Sequence, residues 1–216
     1  MTDTIAWDVY AKSSKQRRQV NAAGQTTWFN WTQYPDHGPG AEILDIGLGS
    51  AVLELGCGTG GNLAHLATLG TCAIGVDVSP AQLAIAKDRW GYMSSLEWEH
   101  AEAVAYLTQT GEEFDAVFSV FGAAWFTDPD VLLPLVRKRL RPGGVFAFSH
   151  RPAIEGCYGR QAAFINRSEN EDPRWDYEPD RWVGILAEHG FTATAEVLPA
   201  PPGDRTVGTL LVHAQA

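Results

Sequence analysis

The chain has 216 residues, 45% of them apolar, which suits one domain whose core needs neither disulfide nor metal to hold it. With 26 acidic against 16 basic residues, the net charge of −10 argues against a broad nucleic-acid-binding face. Cys57, Cys72 and Cys157 form no C-x-x-C pair, which argues against a disulfide scaffold or zinc site and fits a reducing compartment. MTDTIAWDVYAKSSKQRR has no apolar run ahead of its charges, and no stretch reaches the roughly 18 apolar residues of a membrane span. The expectation is a cytoplasmic protein, monomeric or homodimeric, with no membrane or nucleic-acid partner.

Residues 1–50 are rich in aromatics (Trp7, Tyr10, Trp28, Phe29, Trp31, Tyr34) and read as a helical, aromatic cap segment. Ser13 to Gln25 suggests one or two short polar helices, and proline and glycine mark Tyr34 to Gly40 as a loop. From Ala51 the pattern becomes regular. Ala51–Leu55 reads as a buried strand, Gly60–Leu69 as a helix, and Cys72–Val76 as a second strand. Ser79-Pro80 stands where an N-cap and a first-turn proline belong, ahead of a helix over Ala81–Trp90. Leu96–Trp98 is a third strand, Glu102–Thr108 a helix, Phe114–Val120 a fourth strand and Asp130–Leu140 a helix. The cations Arg137, Lys138, Arg139 and Arg141 complement that helix's dipole, a simpler reading than a nucleic-acid patch. Pro142-Gly-Gly144 then stops it, and Val145–Phe148 is a fifth strand.

Residues 151–180 break the rhythm as an insertion, with six acids from Glu169 to Asp180. Arg181–His189 is a helix closed by Gly190. Thr192–Leu198 and Thr206–Val212 read as a closing antiparallel pair. Strands alternating with helices imply a parallel sheet covered on both faces, which binds ligands at the carboxyl ends of its strands.

The strongest motif is Glu54-Leu-Gly-Cys-Gly-Thr-Gly-Gly-Asn62, between the first strand and the first regular helix. Glycines let the backbone turn tightly and approach a ligand. Asp77, ending the second strand, can accept hydrogen bonds from a ribose diol. Together they read as a nucleoside site. Gly56, Gly58 and Gly61 also satisfy the dinucleotide pattern literally. Glu54, two residues before the first glycine, disfavours a pyrophosphate and suits a ligand carrying an ammonium group.

Here the sequence resembles class I S-adenosylmethionine-dependent methyltransferases. Val52-Leu-Glu-Leu-Gly-Cys-Gly-Thr-Gly60 is similar to their first motif and Ile74-Gly-Val-Asp-Val-Ser-Pro-Ala-Gln82 to their second. Phe114-Asp-Ala-Val-Phe-Ser119 and Leu140-Arg-Pro-Gly-Gly-Val-Phe-Ala-Phe148 resemble their fourth and fifth strands. The likeness covers about residues 50–150. It implies an α/β, Rossmann-like three-layer sandwich over 51–216, with a seven-stranded, mostly parallel sheet whose last strand is antiparallel.

The resemblance also implies roles. Glu54, Gly56 and Gly58 surround the methionine moiety, with Cys57, Gly60 and Asn62 in the same turn. Asp77 holds the ribose hydroxyls, Val78 flanks the adenine, and Gln82 belongs to the second motif. Glu102, with Ala103 beside it, stands at the adenine amine. Val120 and Phe121 border the methionine end, and Tyr10 closes over the cofactor.

The implied reaction is in-line methyl transfer from S-adenosylmethionine to an oxygen, nitrogen or carbon of a small acceptor, leaving S-adenosylhomocysteine. The protein supplies alignment and water exclusion. His150, just after the fifth strand, is the candidate general base, ahead of His37. Trp28, Trp31, Trp125, Phe126 and Tyr158 are candidate acceptor walls, as is Trp175. The acids of 169–180 suit an amine acceptor or simply a solvated loop, and the insertion is long enough for a lid. Phe121-Gly-Ala-Ala-Trp125 lacks the Asn-Pro-Pro-Tyr-type motif of nucleobase amino methylation. No metal spacing is evident. Two other readings stand beside this one: an NAD(P)-dependent oxidoreductase, and a non-methylating member of the fold that binds the same cofactor.

Overall fold

The computed structural model describes residues 4–13, 20–163, 172–203 and 206–216. Its main sheet has seven strands in the order β3-β2-β1-β4-β5-β9-β8. These are β1 (Ala51–Leu55), β2 (Cys72–Asp77), β3 (Leu96–His100), β4 (Phe114–Val120), β5 (Leu140–His150), β8 (Thr192–Leu198) and β9 (Thr209–Gln215). The first five pair in parallel, and β9 runs antiparallel to both β5 and β8. The helices are α1 (Thr4–Ser13), α2 (Gly61–Thr68), α3 (Pro80–Trp90), α4 (Ala103–Gln109), α5 (Ala123–Phe126), α6 (Pro129–Arg139) and α7 (Pro179–Glu188).

Strand period two divides the core into two layers. Leu53, Leu55, Phe146, Phe148, Leu210 and Val212 pack on one face, against Leu107 of α4, Leu132 and Val136 of α6, and Trp182 of α7. Val52, Phe118, Ala147 and Leu211 pack on the other, against Leu63 of α2, Leu83 of α3 and the segment carrying Phe29, Trp31 and Leu44. Burial on both faces is why these strands read as unbroken apolar runs. Phe146 is fully buried, and truncating such a side chain to alanine costs about 3–5 kcal/mol.

The structure corrects several local expectations. The N-terminal helix lies at Thr4–Ser13, and the described part of the expected 13–25 helices, Val20–Gln25, is a turn region. Residues 14–19 lie outside the described set. Residues 41–44 form a single turn of 3-10 helix. β5 starts at Leu140, ahead of the Pro142-Gly-Gly144 break, and its register with β4 shifts beside that break. The expected irregular insertion contains an antiparallel pair, β6 (Gly159–Ala163) and β7 (Asp172–Asp176). Residues 164–171, which include Glu169 and Glu171 of its acidic run, are outside the described set.

Candidate functional site

The chain crosses from β3-β2-β1 on one side to β4-β5 on the other, so the strand order reverses between β1 and β4. The loops leaving the carboxyl ends of these strands diverge there and open a crevice. A cavity of about 750 Å³ occupies it, within the range of small-ligand sites.

Its floor is the turn after β1. Gly56, Gly58 and Gly60 have φ of 79°, 54° and 70°, in the left-handed region that favours glycine. A Cβ on Gly56 would stand 2.7 Å from the Ala123 nitrogen, so this glycine lets the turn after β4 close against the turn after β1. Gly58 faces open space, and it lines the cavity. Gly60 does something else. It is not on the cavity wall, and a Cβ there would stand 2.2 Å from the Trp98 ring. Its place among the ligand contacts is therefore corrected to packing. Trp90 Nε1 donates to the Thr59 carbonyl at 3.0 Å and pins the same turn.

Asp77 ties this turn to the end of β2. Its Oδ2 accepts from the Gly58 N–H at 2.8 Å and its Oδ1 from the Ser79 N–H at 2.9 Å. Burial pushes its pKa up, and those two N–H groups pull it back. Each oxygen keeps further acceptor capacity toward the cavity. Glu54 is 2% exposed, and its Oε1 accepts from Asn62 Nδ2 at 3.3 Å. Burial, then Asp77 and then Glu54, push the Cys57 thiol well up, so it stays protonated as a packing residue.

Glu54, Gly56, Cys57, Gly58, Asn62, Asp77, Val78, Gln82, Glu102, Ala103, Val120, Phe121 and Tyr10 all line the cavity. Tyr10 arrives on α1, which is docked by Asp8. The Asp8 carboxylate accepts from Ser79 Oγ and from the Ala81 N–H at the start of α3. Trp7 then packs edge-on against Phe126 at 5.1 Å, from across the opening.

At the β4–β5 end, Phe121 takes a φ of 50°, a strained conformation for this residue type. Tight packing enforces it. A Cβ on the next residue, Gly122, would come within 2.6 Å of the Leu55 carbonyl, and the Phe121 N–H donates to Ser149 O at 2.8 Å. Trp125 and Phe126, on the helix after β4, wall this end, and Trp28 lines the same cavity. Trp125 Nε1 donates to Asp176 at 2.8 Å, and Arg174 pairs with the same carboxylate at 2.8 Å. Asp176 is thus a buried anchor for Trp125, not part of a solvated acidic loop.

Besides Gly60, five expected residues are not on the cavity wall: His150, Trp31, Tyr158, His37 and Trp175. His150 is fully buried. It follows Phe146 and Phe148 on one face of β5, so the strand period sends it into the core beside Trp182. Burial lowers its pKa to about 4, and its Nδ1 bonds the Arg151 carbonyl at 2.6 Å. It stands behind Trp125 and reaches nothing bound in the cavity. Trp31 is fully buried against Phe29 and Phe118, donating to Gly40 O at 2.8 Å. Tyr158 is exposed and donates to Glu178 at 2.7 Å. His37 contacts Pro199 O and lines a separate cavity of about 510 Å³. Trp175 is buried in the core layer. Among the described residues, no group of three or more His, Cys, Asp or Glu is arranged to hold a metal ion, and no helix is long and apolar enough to cross a membrane.

The wall also holds residues that the sequence reading passed over: Trp7, Asn30, Gln33, Arg89 and Arg151. Arg151 carried a usable signal, since it directly follows the histidine picked out at the end of β5. The residues before β1 carried none, because loop order alone does not tell which side chain faces inward.

A family model described as a methyltransferase domain matches residues 52–144. An uncharacterized methyltransferase of Synechocystis sp. is 30% identical over 162 residues, covering 73% of this chain and 74% of that one. Methyltransferase GfsG of Streptomyces halstedii is 32% identical over 112 residues, 50% of this chain but only 40% of its own length. Demethylmenaquinone methyltransferase of Tropheryma whipplei is likewise matched over 46% of its length. Among solved structures, a putative S-adenosylmethionine-dependent methyltransferase from Listeria monocytogenes superposes with a TM-score of 0.65 at 18% identity, covering 81% of this chain and 93% of that one. A Burkholderia thailandensis 1,6-didemethyltoxoflavin-N1-methyltransferase, solved with its acceptor and S-adenosylhomocysteine, gives 0.60 at 20% identity, covering 78% and 71%. At these identities the solved structures establish a shared fold.

Proposed function

The chain belongs to the methyltransferases, and on that premise we propose that it moves a methyl group from S-adenosylmethionine to a small-molecule acceptor. The observation that carries the reading is one continuous cavity. It joins the Glu54–Asp77 floor to the aromatic end at Phe121, Trp125 and Phe126.

The residues present fit the cofactor. Buried Glu54 and half-buried Asn62 offer oxygen atoms to an ammonium group, Asp77 offers acceptors to a ribose diol, and Gly58 leaves the backbone bare beside it. When bound, S-adenosylmethionine supplies an activated methyl on its sulfonium. In this reading Glu102, Ala103, Val78 and Gln82 border the adenine, while Val120 and Phe121 flank the methionine end. Tyr10 and Trp7, brought over by α1, exclude water as part of the 1–50 cap. The aromatic end holds the acceptor in line. His150 acts through Trp125 as a positioning residue, keeping that indole in place from behind. A cytoplasmic setting suits the three free thiols.

Thermal unfolding with S-adenosylmethionine, S-adenosylhomocysteine and NADH tests the cofactor. A ligand at about 100 times its Kd adds roughly 2.7 kcal/mol, enough to raise Tm by several degrees. A rise with NADH alone would overturn the reading. Transfer of isotope-labelled methyl to an acceptor then tests the reaction itself.

A further inference from the structure

We propose that Arg151 receives a carboxylate of the methyl acceptor, so that the natural acceptor is a small organic acid with a flat apolar body. The inference rests on the methyl-transfer reading and adds the substrate class to it.

Arg151 directly follows β5 and lines the cavity. β1 and β4 separate β5 from β2, which ends in Asp77. Three strand spacings put the two ends about 14 Å apart. The acids on the cavity wall, Glu54, Asp77 and Glu102, all belong to β1, β2 and the turn after β3. None of them is placed at the β5 end. A guanidinium therefore stands at the acceptor end of a protein whose net charge is −10.

Gln33 aims it. The Gln33 amide nitrogen donates to the carbonyls of Val207 at 3.1 Å and Gly208 at 3.3 Å, ahead of β9. Tyr34 OH donates to the same Val207 carbonyl at 2.6 Å and holds that segment. The amide is thus turned with Oε1 outward, where it accepts from Arg151 Nε at 3.3 Å. The bond restrains the arginine through one nitrogen. Its two terminal nitrogens have no hydrogen-bond or ion-pair partner among the described residues. A planar fork with both terminal nitrogens open matches the two oxygens of a carboxylate.

The neighbouring wall indicates the rest of the molecule. Phe121, Trp125 and Phe126 follow β4, the strand paired with β5, and line the cavity beside Arg151. Trp125 is held on its edge by Asp176 and on one face by His150, so this wall is rigid before anything binds. The Arg174 guanidinium over the Trp125 ring is paired with Asp176, which leaves Arg151 as the open guanidinium beside these rings, an arrangement that suits a planar acid better than an amine or a neutral sugar.

Ligand-detected NMR on the full chain with saturating S-adenosylhomocysteine tests this. The probes are benzoate, cinnamate and indole-3-acetate, each measured beside its primary amide. At least one acid is expected to bind about tenfold more tightly than its amide. Arg151→Ala should erase that preference and Arg151→Lys should keep part of it. Both should leave affinity for S-adenosylhomocysteine and the thermal midpoint near wild type. Equal binding of acid and amide, no binding of any acid, or a preference surviving in Arg151→Ala would each overturn the proposal. Failure of S-adenosylhomocysteine itself to bind the wild-type chain would overturn the methyl-transfer reading instead.

Discussion

The imidazole of His150 and the indole of Trp125 lie parallel within 5°, with ring centroids 5.1 Å apart. The histidine belongs to β5 and the indole to the short helix α5, so the stack joins the end of the sheet to the wall of the cavity. His150 is fully buried and its pKa is lowered to about 4 by desolvation. Its chemistry is that of a neutral aromatic ring, not of a base.

A pH dependence follows from that burial. In the unfolded chain this histidine titrates near 6.5, and in the folded chain near 4. Between those values the unfolded state binds the extra proton, so stability rises with pH across that window. The stabilisation is complete above about 6.5 and is lost progressively as pH falls toward 4, by roughly 3 kcal/mol in all. Urea unfolding of wild type and His150→Phe at a series of pH values should show a shallower slope in the variant. Parallel slopes would mean that His150 titrates normally.

Asp77→Ala should weaken S-adenosylhomocysteine binding at least about tenfold, since charge-assisted hydrogen bonds are worth about 1.5–3 kcal/mol each. The variant also strips acceptors from the Gly58 and Ser79 N–H groups, so it should lose some thermal stability as well. Calorimetry and a melting curve separate the two effects. Unchanged affinity would remove Asp77 from the ribose role.

Two glycines in one turn should behave differently. Gly60→Ala meets the Trp98 ring at 2.2 Å with φ at 70°, and should cost about 2 kcal/mol or more of stability. Gly58→Ala meets no atom within 4 Å and pays only for φ at 54°, about 1 kcal/mol. Gly58→Ala should stay folded yet bind S-adenosylhomocysteine less tightly, because its methyl enters the cavity. Melting and binding measured on both variants check the contrast.

Asp8→Ala should loosen α1. It removes acceptors from Ser79 Oγ and the Ala81 N–H, an interaction of capping type worth about 0.5–2 kcal/mol. S-adenosylhomocysteine should then dissociate several-fold faster, with little change in the core's resistance to urea. A dissociation rate equal to wild type would mean that α1 does not retain the ligand.

The sequence by itself determined the alternation of strands and helices and the floor of the cavity. Those features depend on short-range rules: apolar runs, a serine–proline helix start and glycines at left-handed positions. Glu54, Gly56, Gly58 and Asp77 were legible because a turn and a strand end place them whatever the rest of the chain does. Tertiary structure decided the aromatic end of the cavity. His150 and Arg151 are adjacent in the chain, and the sequence favoured the histidine. The two-residue period of β5 instead buries His150 behind Trp125, while Arg151, one step beyond the strand, lines the cavity. Trp28 and Trp31 are equally alike on paper, yet one walls the cavity and the other is sealed against Phe118. Which of two neighbouring side chains meets a ligand depends on contacts with β4, β9 and α7, which are distant in sequence, and no local pattern carries that information.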